Sequence, residues 1–157
     1  MRLADIFCFK ATVVELEAGD RDGVIAELVS SLEKAGGLEK GNHQKLTRAV
    51  IKRENEASTG MGKGIAVPHV KHEAVKKVAA AIGRSSRGVD FRSLDKLPVH
   101  AVILLISPTN DPDIHLEAMK IIFGHLQNKK FRKFLRQSET TEAIEELLRE
   151  ADEDPTL

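Results

Sequence analysis

Two apolar runs constrain the fold of this chain more than any other feature of its sequence. One extends from residue 78 to 82 and the other from 101 to 106, and almost no polar residue interrupts either of them. Runs of this length and composition are typical of strands that are buried on both faces. Such strands need a packed layer on each side, so we expect helices on both faces of a sheet.

Segments with the helical spacing of apolar residues surround these runs. Asp20 predicts a helix N-terminus and Gly36-Gly37 its end, and a second helix is expected from Asn42 to about Glu54. Beyond the loop at 107–113, apolar spacing predicts three more helices, at about 116–126, 129–136 and 143–148. The other predicted elements are a short helix or turn at 2–7 and a β-branched strand at 12–16.

The alternation of strands and helices favours an α/β fold, a single-domain sandwich with a mixed central β-sheet flanked by helices on both faces. A chain of 157 residues is long enough to bury a core of this kind. We expect the domain to occupy residues 1–150 and the segment 151–157 to be a frayed C-terminal tail.

The charges of the chain balance, with 24 basic and 24 acidic residues and a net charge of +0. This balance gives no electrostatic indication of a nucleic-acid partner. The single cysteine, Cys8, excludes an intrachain disulfide and fits a reducing compartment. No segment resembles a signal peptide, and no apolar run approaches the roughly 18 residues needed to cross a bilayer. We therefore expect a cytoplasmic protein without stable membrane insertion.

The stretch from Arg53 to His69 contains many residue types that are common in catalytic and anion-binding sites. It contains a Ser-Thr pair and glycines at 60, 62 and 64, and it ends in Pro68-His69. Glycines allow backbone N–H groups to approach a ligand or another segment closely. Proline restricts the backbone before His69, so the imidazole is presented with little freedom. The stretch therefore indicates an anion site or a nucleophilic histidine.

The same stretch lacks the spacing of several standard sites. Its Gly-x-Gly-x-Gly pattern is neither a dinucleotide fingerprint nor a P-loop. The pair His69-x-x-His72 has no third metal ligand at a recognisable spacing, so no metal and no cofactor is expected. Arg53 is either an anion clamp or the salt-bridge partner of Glu54 or Glu56, and the residues alone leave both roles open.

A second histidine, His115, also has a suggestive context. It follows the loop at 107–113 and is expected in the first turn of a helix, where α/β folds commonly form sites.

The segment 129–136 is basic with interleaved aromatics, and we interpret it as an amphipathic helix with a solvated face because the chain is neutral overall. The remaining histidines are interpreted as ordinary surface or core residues: His43, His72, His100 and His125.

The motif as a whole resembles a known signature. The run Arg53-Glu54, Ser58-Thr59-Gly60-x-Gly62-x-Gly64 and Ile65-Ala66-Val67-Pro68-His69 is similar to the phosphorylation site of mannitol/fructose-type enzyme IIA domains. These domains belong to the bacterial phosphoenolpyruvate-dependent phosphotransferase system. Further similar segments follow in the family's order, so the resemblance covers nearly the whole chain: Gly88-Val89-Asp90-Phe91, Leu97-Pro98-Val99 and His115-Leu116.

The resemblance implies a role for each matching residue. His69 matches the phosphoryl acceptor, which forms a tele-phosphohistidine intermediate. His115 matches the histidine that hydrogen-bonds the phosphoryl group, and Arg53 matches the arginine that stabilises its charge. Hydroxyl and backbone N–H donors of the loop are candidate phosphate-binding groups: Ser58, Thr59, Gly60 and Gly62. The resemblance also implies the family fold, a mixed sheet flanked by helices.

The implied activity is that of a phosphotransferase, as one component of a phosphohistidine relay. The implied donor is the histidine-containing phosphocarrier protein, and the acceptor is a separate enzyme IIB or a regulatory target protein. A free-standing nitrogen-type regulatory enzyme IIA is favoured, because the sequence contains no enzyme IIB motif and no membrane domain. A fructose- or mannitol-specific enzyme IIA for sugar transport and a non-catalytic interaction module remain the alternatives.

Overall fold

The two apolar runs form neighbouring antiparallel strands of a five-stranded sheet. The computed structural model describes all residues, 1–157. Its strands are β1 (Gly60–Gly62), β2 (Ile65–Ala66), β3 (His69–Lys71), β4 (Ala79–Val89) and β5 (Val99–Ser107). Its helices are α1 (Leu3–Ile6), α2 (Arg21–Lys34), α3 (His43–Glu56), α4 (Pro112–Leu126), α5 (Lys129–Gln137) and α6 (Thr141–Glu153), with a 3₁₀ turn at Phe9–Ala11.

Strand β5 organises the sheet, because three other strands pair with it. β4 runs antiparallel along one edge of β5, from Ala79 opposite Ile106 to Arg84 opposite Ala101. On the other edge, β2 and β3 pair with β5 in parallel, one after the other. β1 is antiparallel to β2 and completes a short hairpin. The sheet is therefore mixed, as the sequence predicts.

Alternate residues of the central strands enter two separate cores. Ile103 and Leu105 of β5 pack with α1, α4, α5 and α6, whereas Val102 and Leu104 pack with α2 and α3. This alternation follows from the two-residue period of a strand. Each of these four side chains is at most 2% exposed, so each contributes roughly 2 kcal/mol of burial. The expected sandwich with helices on both faces is confirmed.

The predicted strand at 12–16 is wrong. Only Val13 forms a bridge with β4, opposite Gly83, and the segment follows the 3₁₀ turn rather than extending a ladder. Individual backbone hydrogen bonds, such as that from Leu16 N to the Arg84 carbonyl at 2.7 Å, still hold it against β4. The β-branched composition fits this edge, but the pairing is too interrupted to make a strand.

The C-terminal segment differs from the frayed tail expected for 151–157. Helix α6 continues to Glu153, and Leu157 is only 8% exposed. The Leu157 carbonyl accepts a hydrogen bond of 2.6 Å from His125 Nδ1. The last leucine thus closes one of the two cores. None of the helices combines the length and the apolar composition needed to cross a bilayer.

Candidate functional site

His69 is fixed by the strand pairing of its main chain and by one backbone contact of its ring. It opens β3, where it pairs with Leu105, and the preceding Pro68 carbonyl accepts a hydrogen bond of 3.0 Å from Leu105 N. The ring Nδ1 lies 2.8 Å from the Val67 carbonyl oxygen. Because a carbonyl can only accept, Nδ1 carries the proton and Nε2 keeps its lone pair. The backbone therefore selects the tautomer in which Nε2 is the nucleophilic atom.

His115 reaches the same C-terminal end of β5 from helix α4. Asp111 caps α4 by accepting a hydrogen bond of 3.1 Å from Ile114 N, and Pro112 begins the helix. This start places His115 in the first turn. Its Nδ1 lies 2.7 Å from the hydroxyl of Ser107, the fully buried last residue of β5. The centroids of the His69 and His115 rings are 5.7 Å apart and the rings are tilted by 40°.

The pKa of each imidazole is lowered, so both rings are neutral at pH 7. Burial lowers the pKa of His115 to about 4, with smaller contributions from the positive charges of His69 and Lys71. Burial also lowers the pKa of His69, and the charge of Arg53 lowers it further, while the Val67 hydrogen bond and Glu54 oppose the shift. A neutral imidazole is the nucleophilic form, so at physiological pH both rings are in the protonation state that a nucleophile requires.

Arg53 lies in the last turn of α3 and acts on His69 through its charge. One guanidinium nitrogen, Nη1, donates a hydrogen bond of 3.0 Å to the Ala57 carbonyl. No carboxylate forms an ion pair with Arg53, so the alternative of a salt bridge with Glu54 or Glu56 is not realised. A guanidinium has five N–H donors, and most of those on Arg53 remain available to an anion.

Ser58 and Thr59 use their hydroxyls inside the protein. The Ser58 hydroxyl donates to the Phe91 carbonyl, and the Thr59 hydroxyl donates to Glu54 Oε1 at 2.8 Å. Each hydroxyl has only one proton to donate. The structure therefore assigns both side chains to the scaffold of the site, which differs from the expectation that they donate to a phosphoryl group.

The glycines at 60 and 62 form the β1–β2 hairpin instead of lining His69. Gly62 pairs with Ile65, and four residues of strand, about 13 Å, separate Ile65 from His69. Gly60 packs against Ser93, because a Cβ at Gly60 would lie 2.9 Å from the Ser93 Cα. These two glycines are thus explained by close backbone packing, and Gly62 in particular differs from the expectation that it binds phosphate.

Two residues of the site have roles that the sequence does not reveal. Glu54 is 2% exposed and accepts two hydrogen bonds from Thr59, of 2.6 Å from its N–H and 2.8 Å from its hydroxyl. Glu54 therefore fixes the turn that follows α3, the helix that carries Arg53. Ser107 orients His115. The available signal for Ser107 is a polar residue that ends a buried apolar strand, next to the loop that leads into a candidate histidine.

The other four histidines make structural contacts, as interpreted from the sequence. The backbone N–H of Ala74 donates to His72 Nδ1 at 3.0 Å, which ties His72 to its own turn rather than to His69. The remaining contacts join His43 to Glu33, His100 to the Ser85 carbonyl and His125 to the Leu157 carbonyl.

A family model matches residues 7–151, nearly the whole fold described above. Its description is "Phosphoenolpyruvate-dependent sugar phosphotransferase system, EIIA 2". The chain belongs to this family of phosphoryl-transfer components. The resemblance of the motif that ends in Pro68-His69 is thereby confirmed at the level of the family.

Two curated relatives represent different branches of this family. The chain is 34% identical over 152 residues to the fructose-specific EIIABC component of Bacillus subtilis, a match that covers 97% of the chain but only 24% of that relative. It is 30% identical over 148 residues to the nitrogen regulatory protein of Bradyrhizobium diazoefficiens, covering 94% of the chain and 95% of the relative.

The fold is also similar to that of a solved structure, the nitrogen regulatory protein IIA-Ntr of Neisseria meningitidis. The TM-score is 0.83 at 28% sequence identity, and the match covers 93% of this chain and 98% of the other. The layered arrangement that brings His69 and His115 together is therefore the family architecture.

Proposed function

We propose that this protein is a phosphoryl carrier that accepts its phosphoryl group on Nε2 of His69. The observation that carries the proposal is the hydrogen bond of 2.8 Å between His69 Nδ1 and the Val67 carbonyl. This bond leaves a single nucleophilic nitrogen, held next to a second neutral imidazole at a ring separation of 5.7 Å. The proposed donor is the histidine-containing phosphocarrier protein in its phosphorylated form.

In the proposed transfer, the Nε2 lone pair attacks the phosphorus of the donor's phosphohistidine in line. The new N–P bond forms as the donor's N–P bond breaks, and the donor imidazole departs with that electron pair. The proton on Nδ1 of His69 stays in its hydrogen bond to Val67 throughout. Since the free imidazole is already neutral, no base is needed to activate it.

The phosphoryl oxygens require positive charge and hydrogen-bond donors around them. Ser107 can donate its hydroxyl proton to Nδ1 of His115, and this places the remaining ring proton on Nε2 of His115, as a donor. Arg53 adds a full positive charge. The site offers few other cations, which suits a carrier, because an adduct held too strongly could not be passed on.

We infer that the relay serves regulation, as in the nitrogen regulatory proteins, and that its targets are recognised by phosphorylation state. The similarity to the Neisseria protein in fold and the end-to-end match with the Bradyrhizobium protein support this branch. The higher identity to the Bacillus fructose component supports the second candidate, transfer to an enzyme IIB during sugar uptake. Both candidates use the same chemistry at His69.

The proposal is tested by incubation with phosphoenolpyruvate, enzyme I and the phosphocarrier, followed by intact mass measurement. We expect the mass of one phosphoryl group, acid-labile as a phosphoramidate is. His69→Ala should abolish the gain while retaining its circular dichroism spectrum, and His72→Ala serves as the matched control with unchanged uptake. Phosphorylation of His69→Ala at the normal rate would overturn the assignment.

A second experiment separates the two branches. The phosphorylated protein is mixed with a purified fructose-type enzyme IIB, and the loss of phosphate from His69 is followed by mass. For a regulatory carrier we expect loss no faster than spontaneous hydrolysis. Transfer to enzyme IIB on the seconds timescale would instead favour the sugar-uptake role.

A further inference from the structure

Five basic side chains line a cleft at the end of the sheet opposite His69. The cleft has a volume of about 550 Å³ and contains no carboxylate; its lining residues are Lys63, Lys129, Arg132, Lys133, Arg136 and Gln137. We propose that this cleft, named the basic cleft below, binds a small anion that carries two or more phosphoryl groups. The proposal does not depend on phosphoryl transfer at His69.

The arrangement of charges on α5 is unfavourable without a ligand. Four of the five cations of α5 line the cleft, and they recur three and four residues apart, so they form one stripe on the helix surface: Lys129, Arg132, Lys133 and Arg136. Like charges at this spacing destabilise a helix, whereas opposite charges stabilise it. Helix α6 shows the usual arrangement, with Arg149 and Glu145 paired at 3.6 Å. None of the cleft cations has a carboxylate partner, so a bound anion would relieve their repulsion.

Both guanidinium groups of the cleft lie against the backbone, and that of Arg132 is hydrogen-bonded to it. Arg132 Nη1 donates a hydrogen bond of 2.7 Å to the Leu126 carbonyl at the end of α4. The Arg136 guanidinium lies against Gly64, where a Cβ would be 3.2 Å from Nη1. Gly64 has a φ of +80°, so glycine is favoured there on both grounds. Fixed guanidinium groups lose little entropy on binding, and their planar N–H donors match phosphoryl oxygens.

The size of the cleft selects the ligand class. The stripe from Lys129 to Arg136 spans seven residues of helix, or about 10 Å, and a single phosphate is too short to reach both ends. A volume of about 550 Å³ lies within the range of pockets that bind small molecules. A compact ligand with two phosphoryl groups satisfies both the length and the charge.

The surroundings of the cleft disfavour nucleic acid as the ligand. Single-stranded nucleic acid needs exposed aromatic rings on which its bases can stack. Phe131 of α5 is 2% exposed and belongs to the core. Phe134, the other aromatic residue of α5, is 39% exposed but does not line the cleft, and no other apolar side chain lines it.

The basic cleft is distinct from the site at His69. Lys63 lies in the hairpin turn just before Ile65, which pairs with Ala101, whereas His69 pairs with Leu105. Four residues of β5, about 13 Å, separate these two levels of the sheet. A ligand of the proposed size therefore fills the cleft without contacting either active-site histidine.

The test is a calorimetric titration with inorganic pyrophosphate at fixed ionic strength. We expect saturable one-to-one binding and at least a 10-fold loss of affinity in the double variant Lys63→Gln/Arg136→Gln, since each removes a charge-assisted hydrogen bond. The matched control, Lys40→Gln/Lys45→Gln, removes two exposed lysines elsewhere and should change the affinity less than about 2-fold. Amide chemical shifts should move in 63–64 and 129–137.

Three results would overturn the proposal. The first is no saturable pyrophosphate binding, and the second is equal affinity in the two double variants. The third is binding of a short single-stranded DNA through the same residues with pyrophosphate unable to displace it. The His69→Ala variant is titrated in parallel and should bind normally, so failure of the phosphoryl-carrier assignment and failure of the basic cleft give different results.

Discussion

The two ends of β5 carry two candidate anion sites of opposite character. At the end formed by Leu105 and Ser107, two half-buried neutral histidines meet beside one arginine. At the end formed by Val99 and Ala101, five cations share an open cleft with no carboxylate. The first end suits a covalent bond that must later break, and the second suits a reversible ionic contact.

Under the two proposals, positive charge alone does not mark the reactive site of this protein. A histidine nucleophile needs its lone pair, and every nearby cation helps to keep it unprotonated while also raising the stability of the adduct. One arginine balances these two effects. Five cations around His69 would hold the phosphoryl group too firmly for onward transfer, whereas in the cleft no bond has to be broken.

The largest effect that would sharpen this comparison is expected from His115→Ala. Loss of one positioned donor typically costs about 100-fold in a transfer rate. We expect phosphoryl acceptance by His69 to persist but to slow by that order, with faster hydrolysis of the phosphorylated form. Rapid-quench mass measurement reports both rates. His43→Gln, which alters an exposed histidine of α3, is the control, and unchanged rates in His115→Ala would remove it from the site.

A larger side chain at Gly60 is expected to destabilise the β1–β2 hairpin by a steric clash. Gly60→Ala puts a methyl group 2.9 Å from the Ser93 Cα, and overpacking of this kind costs about 2 kcal/mol. Gly124→Ala is the matched control, because that helical glycine has open space around its Cα and should gain about 0.5–1 kcal/mol. Urea denaturation measures both. Equal stability of the two variants would show that Gly60 is not needed for packing.

The burial of His115 predicts a pH dependence of stability. Its pKa is about 4 in the folded protein and about 6.5 when unfolded, so between these values the unfolded chain binds more protons. The free energy of unfolding therefore falls as the pH falls from 6.5 towards 4. Solvent reaches part of the ring, so we expect this loss to be about 1 kcal/mol by pH 5.

The contribution of His115 to the pH dependence of stability is obtained by comparing the wild type with a variant that lacks this imidazole. Urea denaturation of the wild type and of His115→Gln at pH 7.5 and pH 5 should show the smaller acid-induced loss in the variant. Groups that titrate in this window at a distance from His115 affect both proteins and cancel to first order. An equal or larger loss in the variant would contradict the prediction.

The smallest effects are opposite shifts of one pKa. Arg53 lowers the pKa of His69 and Glu54 raises it. Arg53→Gln should therefore raise the pKa of the His69 imidazole, and Glu54→Gln should lower it. NMR titration of the His69 Hε1 signal measures both, with His43 as an internal reference in the same spectra. Shifts in the same direction would show that rearrangement, rather than charge, controls this imidazole.

Local patterns predict most of the architecture. Apolar runs identify β4 and β5, and Asp20 predicts the start of α2, where its side chain accepts the Gly23 N–H. Helix α4 begins at Pro112, a few residues before the first apolar position that predicts it. The strand order does not follow from such patterns, because parallel pairing of β2 and β3 with β5 joins segments more than 30 residues apart. The segment at 12–16 fails for a similar reason, since its pairing depends on where β4 lies.

Only the residues of the site that lie in a compact sequence motif, His69 and Arg53, are predictable from the sequence. The roles of the loop residues are not predictable, because their contact partners are distant in sequence. Gly60 needs its small size because of Ser93, and the Ser58 hydroxyl is occupied by Phe91. The Glu54–Thr59 hydrogen bonds likewise become visible only when α3 and the turn after it are placed together.

The hydrogen bond from His69 to Val67 also has a consequence for the order in which donor and acceptor proteins dock at His69. Since the ring cannot turn, the Nε2 atom faces one direction only, and in-line transfer requires the incoming and outgoing imidazole or thiol to occupy the same position. Donor and acceptor must therefore use overlapping docking footprints and take turns on them. A carrier built in this way follows ping-pong kinetics, and an excess of either unphosphorylated partner inhibits the other by competition.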